Sequence, residues 1–321
     1  MRKSIFLIPL LIFLNSCQES IEPLDTHLNE WSDHEPFVAK YNTFSMAVSD
    51  LWHPLPLAKG EVSLSEASGL AWSVKNPNKI WTHNDSGNSN FLFLLDSETG
   101  EILARYRVEG TVNIDWEDIE VSYGPIEGET YIYLADTGDN NERRPTYTIY
   151  RFQEPIYDIE HYGKTINIQP EIDKIIFEYP DGSHDCEALF VDPITKDIYL
   201  ATKRDFVSLL FVAPYPQKVD EKVTVIKAGE FGFRESSAGT SSLSGDKVLI
   251  KNRQEIFFWH RQVGESMIEM LSREPIKAPY AGEPQGEAIC FDPEYNYFTL
   301  SEELNSSTKP NLFKYTFKKQ P

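Results

Sequence analysis

Three glutamates each open a strand-like run: Glu117-Asp118-Ile119-Glu120-Val121, Glu187-Ala188-Leu189-Phe190-Val191 and Glu287-Ala288-Ile289-Cys290-Phe291. A fourth run, Ser68-Gly69-Leu70-Ala71-Trp72, has the same form, with Ser68 in the opening place and Glu66 two residues before it. Carboxylates brought face to face repel one another unless something neutralises them. Calcium is an economical partner, because it takes roughly six to eight oxygens from carboxylates, carbonyls and water in flexible geometry. Glu66, Ser68, Glu117, Glu187 and Glu287 are therefore the candidate calcium ligands. Magnesium and sodium are alternatives, and the bland reading pairs the same carboxylates with backbone amides or water.

A second set closes the strand that follows each opening. Ile80 to Asp85, Tyr131 to Asp136, Ile198 to Arg204 and Tyr297 to Glu302 all end in polar clusters, and Lys247 to Arg253 is a further copy after Ser237 to Leu243. This places His83, Asp85, Asp136, Asp139, Lys203, Arg204, Lys251, Arg253 and Glu302 around one mouth as candidate ligand-binding residues. Lys203, Arg204, Lys251 and Arg253 form a basic half-ring suited to phosphate or carboxylate, since Arg offers a planar two-pronged donor. The competing reading pairs these cations with Asp136, Glu302 and the inner glutamates. His83 beside Asp85 has the composition of a general base, although such histidines are usually satisfied structural groups. The run Ala135 to Asn141 is rich in Asp and Gly but lacks the layout of an EF-hand, and reads as a turn or a looser cation site.

The elements that must carry these residues are short strands. From about Ser63 onward, apolar runs alternate with Gly, Pro, Asn and Asp, and almost no stretch has a helical period. The openings recur about every fifty residues, the length of one four-stranded propeller blade. One interval, from Glu117 to Glu187, is nearer seventy. The expected fold is all-β, a propeller with five blades and a central channel, with six as the alternative should the long interval hide a short blade. The last unit has room for about three strands, and the segment from Leu51 to Val62 is expected to supply its outer strand and close the circle.

The chain begins with Met1, Arg2 and Lys3, followed by an apolar run from Ser4 to Leu14 that is too short to span a bilayer. Leu14-Asn15-Ser16-Cys17 has the form of a lipobox, so residues 1–16 read as a lipoprotein signal peptide and Cys17 as the lipid-bearing residue. Gln18 in the next place points to the outer membrane of a bacterial envelope. Residues 17–45 are polar and acidic, as a tether would be, which leaves 46–321 for the propeller.

A formal charge of −20 over 321 residues disfavours nucleic acid and anionic lipid surfaces as partners. Cys186 and Cys290 fall in strand-like runs of separate repeats and are expected as buried thiols; neither has metal-ligand spacing. There is no nucleophile elbow, phosphate-cradling loop or dinucleotide fingerprint.

Ser65-Glu66-Ala67-Ser68-Gly69-Leu70, Trp116-Glu117-Asp118-Ile119 and Glu187-Ala188-Leu189 together resemble the SdiA-regulated extracytoplasmic propeller family. The order of opening residues is also similar to the calcium-activated apyrases. That resemblance implies five blades and calcium contacts at Ser68, Glu117, Glu187 and Glu287, with a serine in the fourth blade. Here the aligned fourth residue is Gly239, flanked by Thr240 and Ser241. The resulting expectation is a membrane-anchored propeller with a central calcium, binding a small ligand or an envelope protein at the channel mouth. A calcium-dependent hydrolase of phosphate or other esters is the alternative, and a structural partner in outer-membrane assembly is a third reading.

Overall fold

Runs such as Tyr131-Ile132-Tyr133-Leu134-Ala135 are apolar on both faces, which suits strands covered on both sides by neighbouring sheets. The computed structural model describes residues 31–304 and 308–318 and arranges such strands as five sheets. The signal peptide and Cys17 lie outside the described residues. No helix among the described residues is long and apolar enough to cross a membrane.

In chain order, β1 (Phe37–Val38) and β2 (Leu57–Glu61) precede the first blade, which is β3 (Ala67–Trp72), β4 (Lys79–Asn84), β5 (Phe91–Asp96) and β6 (Ile102–Val108). The second blade is β7 (Trp116–Tyr123), β8 (Thr130–Asp136), β9 (Tyr147–Gln153) and, after β10 (Thr165–Ile168), which joins the first blade, its own outer strand β11 (Asp173–Glu178). The third is β12 (Cys186–Val191), β13 (Ile198–Thr202), β14 (Leu209–Ala213) and, after β15 (Lys222–Thr224), which joins the second blade, β16 (Ile226–Glu230). The fourth is β17 (Ala238–Ser241), β18 (Lys247–Lys251), β19 (Ile256–His260) and, after the short helix α1 (Met267–Ser272), β20 (Ile276–Ala278). The fifth is β21 (Gly286–Phe291), β22 (Tyr297–Ser301) and β23 (Asn311–Tyr315), completed by β2.

The long interval holds no sixth blade. Its extra residues carry β10 back to pair in parallel with β6 of the first blade. The same device recurs where β15 pairs in parallel with β11, and where β1 pairs in parallel with β16. Phe37 and Val38 belong to the stretch read from sequence as tether, and here they cover a blade edge. Each addition occupies backbone groups that an exposed edge strand would leave open to other chains.

The core lies between adjacent blades. Tyr133, Ile149, Leu189 and Leu200 pack the second blade on the third, and Trp81, Leu94, Ile119 and Phe152 pack the first on the second. Cys186 and Cys290 are free and buried within these layers.

Ring closure rests on β2 pairing antiparallel with β23. The ladder skips Lys59, and the next residue, Gly60, has a φ of +154° and a missing Cβ that would lie 1.8 Å from the Thr99 carbonyl oxygen. Only glycine suits that conformation and that approach. Gly60→Ala is expected to cost about 1–3 kcal/mol from backbone strain alone. Denaturant unfolding checks this, and an unchanged midpoint would mean that closure tolerates a side chain there.

Candidate cation site at the channel mouth

The inner strands β3, β7, β12, β17 and β21 line the channel, and three of them begin with a bulge. The ladders skip Glu117 between Trp116 and Asp118, Glu187 between Cys186 and Ala188, and Glu287 between Gly286 and Ala288. A bulged residue is released from pairing and its side chain is re-aimed, which is how a buried strand end presents a carboxylate to the axis. In the first blade the bulge falls at Gly69, one residue beyond Ser68. Ser68 is instead a paired residue whose hydroxyl donates to the Glu117 carbonyl at 2.6 Å. In the fourth blade Gly239 stays in register and donates its N–H to Asp118, while the Ser241 hydroxyl donates to the Val191 carbonyl.

Two overlapping groups of carboxylates converge at the mouth: Asp85, Asp115 and Glu117, and Glu117, Asp185 and Glu187. Within each, the oxygens lie within 4.8 Å of one another. Two ligands across one calcium ion stand about that far apart, since each bond is roughly 2.4 Å. Asp115 and Asp185 each precede a bulged glutamate by two residues, and Asp85 follows β4. Asp85 is positioned by Asn113, whose amide donates to the Asn84 and Asp85 carbonyls. Gly138 admits the cluster, because a Cβ there would lie 2.1 Å from Glu117 Oε1 and 2.6 Å from Asp115 Oδ2.

The first group, unlike Asp185 and Glu187, is uncompensated by ion pairs. Asp85, Asp115 and Glu117 have no ion-pair partner among the described residues, and Asp115 Oδ1 is buried without a hydrogen bond. Burial, reinforced by Asp85 and Asp185, pushes the Asp115 carboxyl up to about 6. Burial followed by Glu187 and Asp85 holds Glu117 well above the usual carboxylate range. Glu187 is pushed up to about 8, again first by burial, although Lys203 opposes the shift. These are the conditions under which oxygen ligands take a hard cation or a proton.

The other half of the mouth is paired. Lys203 bridges Glu187 and Glu287, at 3.1 Å to the latter, and Arg253 adds a contact to Glu287 at 3.2 Å. Burial alone would raise Glu287, but Lys203 and Arg253 pull it below its ordinary value. Glu302 rises to about 8, through burial and then proximity to Glu287 and Asp85. Glu66 is exposed and accepts from the Asn88 amide at 2.7 Å. The structure therefore joins Glu117 and Glu187 of the expected ligand set, and places Glu287, Ser68 and Glu66 in other contacts.

Of the second set, Asp136 pairs with Arg144 at 3.0 Å and accepts the Asp115 N–H. Asp139 accepts the Arg143 and Arg144 amides and the Tyr147 hydroxyl, so it shapes the turn. His83 is fully buried, donates to the Asn84 carbonyl, and is pushed down to about 4 by burial, which leaves it neutral and shielded. Lys251 is also fully buried; its ammonium donates to the Gly286 carbonyl, and burial lowers it to about 8. Lys203, Arg204 and Arg253 do share one pocket, of about 470 Å³, and the fourth cation there is Arg234 of the loop after β16. Arg204 Nε stands 2.6 Å from Asp185 Oδ2, a charge contact without hydrogen-bond alignment.

No protein-family model matches the sequence, and no curated protein matches it. Among solved structures, an auxiliary nutrient binding protein from Bacteroides thetaiotaomicron is similar over 87% of this chain and 76% of its own, at 10% identity and a TM-score of 0.42. At that distance the likeness carries no argument about ligand or activity. The five closed sheets make the chain a five-bladed β-propeller on their own topology.

Asp115, Asp185 and Arg234 are absent from the set expected from sequence. The first two had a visible signal, an Asp-x-Glu spacing shared by Asp115-Trp116-Glu117 and Asp185-Cys186-Glu187. Arg234 had none, because only the fold brings its loop beside those of Lys203 and Arg253.

Proposed function

We propose that this chain is a ligand-binding propeller of the bacterial envelope, anchored through a lipid on Cys17, in which one calcium ion orders the channel mouth. The observation that carries the reading is the cluster Asp85, Asp115, Glu117, Asp185 and Glu187, whose first three members lack any cationic partner among the described residues. Calcium supplies the missing positive charge and accepts this many oxygens. The resemblance to calcium-activated apyrases supports a central calcium, held here by a different ligand set. The resemblance to the SdiA-regulated family and the lipobox support an exported, outer-membrane protein.

The ligand is an oxyanion, a carboxylate or a phosphate. It enters the pocket lined by Lys203, Arg204, Arg234 and Arg253 with Asp205 and Glu235, four cations to two carboxylates, where each guanidinium spends only one or two of its donors within the protein. Phe206, which follows Asp205 of this pocket in the chain and is almost fully exposed, offers an apolar contact to the rest of such a ligand or to a partner protein.

A panel of small carboxylates and phosphate esters, followed by thermal shift and product release in calcium and in EDTA, tests the proposal. At least one oxyanion is expected to bind saturably in calcium. Arg204→Ala with Arg253→Ala should weaken it by at least roughly tenfold, the effect of losing even one of the two charge-assisted contacts. Binding that ignores this pair, or no binding across the panel, contradicts the proposal. Turnover that stops in EDTA would establish the hydrolase reading instead, with the ion polarising an ester oxygen.

A further inference from the structure

The opposite end of the channel has a site of its own. Strand β7 enters the mouth at Glu117 and runs down the channel, so Glu120 emerges three residues later near the far face. There it lines a small cavity of about 30 Å³ with Trp72, Ser241 and Phe291. The cavity continues into a pocket of about 410 Å³; both are walled by Trp72, Val74, Leu243, Asp292 and Pro293. Trp72 ends β3, and the others belong to the turns after β3, β17 and β21, at the end of the blades remote from the mouth. Asp118 separates the two ends by accepting N–H groups from Leu189 and Gly239 across the channel.

Glu120 is 5% exposed; the Thr240 hydroxyl and the Ser241 N–H lie against its carboxyl, and its Oε2 is still buried with no hydrogen-bond partner. A buried carboxyl oxygen without a donor is costly, and an apolar pocket that opens onto it offers the missing donor a place to come from. The outer wall carries Glu98, Asp292 and Glu294 against Lys314, with Lys59 on Glu98. The indole of Trp72 and the rings of Phe291 and Pro293 give the walls an aromatic and apolar character. A buried acceptor behind aromatic walls and an acidic rim selects a cation with an apolar body, because the ring faces attract positive charge as well as hydrocarbon.

We propose that this far-face pocket binds a small organic ammonium compound, its nitrogen on Glu120 and its apolar part against Trp72 and Leu243. The site is distinct from the mouth and does not depend on calcium. Burial raises the Glu120 carboxyl well above its ordinary value, so an arriving ammonium displaces a proton to solvent.

Calorimetric titration of the full chain with phenethylammonium, 2-phenylethanol and phenylacetate tests this. The cation is expected to bind saturably, at least tenfold more tightly than the alcohol, with phenylacetate showing no binding, and with a heat that varies with the ionisation enthalpy of the buffer. Glu120→Gln should lower the affinity for the cation at least tenfold, while Glu117→Gln with Glu187→Gln should leave it unchanged. Trp72→Leu, which keeps an apolar wall but removes the ring, should weaken the cation more than the alcohol. The proposal is overturned if none of the probes binds, if alcohol and cation bind alike, or if binding is lost with the mouth variants and kept in Glu120→Gln. Near-ultraviolet circular dichroism of each variant establishes that it is folded before its affinity is compared.

Discussion

Asp118→Ala is expected to lower the stability of the propeller by at least about 3 kcal/mol, because three buried amides lose their acceptor and each such loss costs roughly 1–3 kcal/mol. The fully buried Asp118 carboxylate accepts from its neighbour Ile119 at 2.9 Å, from Leu189 of the third blade at 2.8 Å and from Gly239 of the fourth at 2.9 Å. One side chain thus ties three inner strands, and its removal leaves no substitute donor or acceptor in their place. For a domain of this size the melting temperature should fall by roughly 6 °C or more. Asp118→Asn keeps the shape and one oxygen, which still reaches Leu189 and Gly239 if the amide turns its nitrogen away, so about half the loss is expected. Denaturant unfolding of both variants is the check. An alanine variant within about 0.5 kcal/mol of wild type, the range of a neutral surface change, would show that water replaces the carboxylate and that Asp118 does not knit the blades.

The second large effect concerns calcium and pH together. Asp115 at about 6 and Glu187 at about 8, with Glu117 also raised, hold protons in the folded, metal-free protein that an unfolded chain releases near pH 4. Between about pH 4 and 8 the native state therefore binds more protons than the unfolded state, and stability falls as pH rises through that window. Calcium competes with those protons for the same oxygens. Its stabilising effect should accordingly grow from pH 5 to 8, reaching about 2.7 kcal/mol at a hundredfold excess over Kd, or roughly 5–10 °C in melting temperature. Melting curves in EDTA and in calcium across this range check the sign. A calcium shift that shrinks with rising pH would mean that the ion binds elsewhere.

The fold was legible because the propeller repeats a local pattern. Four of the five inner strands open on a polar residue, each second strand ends in one, and all but one of the intervals are near fifty residues, so five copies and a closing strand within Leu51 to Val62 could be placed without knowing any contact. The long second interval was ambiguous for a physical reason. Length alone does not distinguish another blade from a strand that crosses back to cover a neighbour's edge, which is what Thr165 to Ile168 does.

The site was only partly legible. Glu117 and Glu187 meet because both sit on bulges, and a bulge leaves a trace in sequence as a carboxylate that breaks an apolar run. Ser68 looked equivalent, but the first blade places its bulge one residue later, at Gly69, and a one-residue slip changes which side chain is released. Glu287 has the same local signal, and a lysine reaching over from the third blade neutralises it. No pattern within a blade reports that crossing. Lys251 looked like a mouth residue because it ends a strand; it is still held in the ladder by Ala238 and Ile256, and the fold closes over it.

The most direct test of the central claim is a calorimetric titration of the metal-free protein with calcium, wild type against Glu117→Gln with Glu187→Gln. The arrangement of carboxylates predicts one saturable calcium site in wild type that is lost in the double variant, with both proteins folded. A wild type that binds no calcium, or a double variant that binds it as tightly, would contradict the site, and would leave these glutamates as protonated groups buried at the head of a channel that holds no ion.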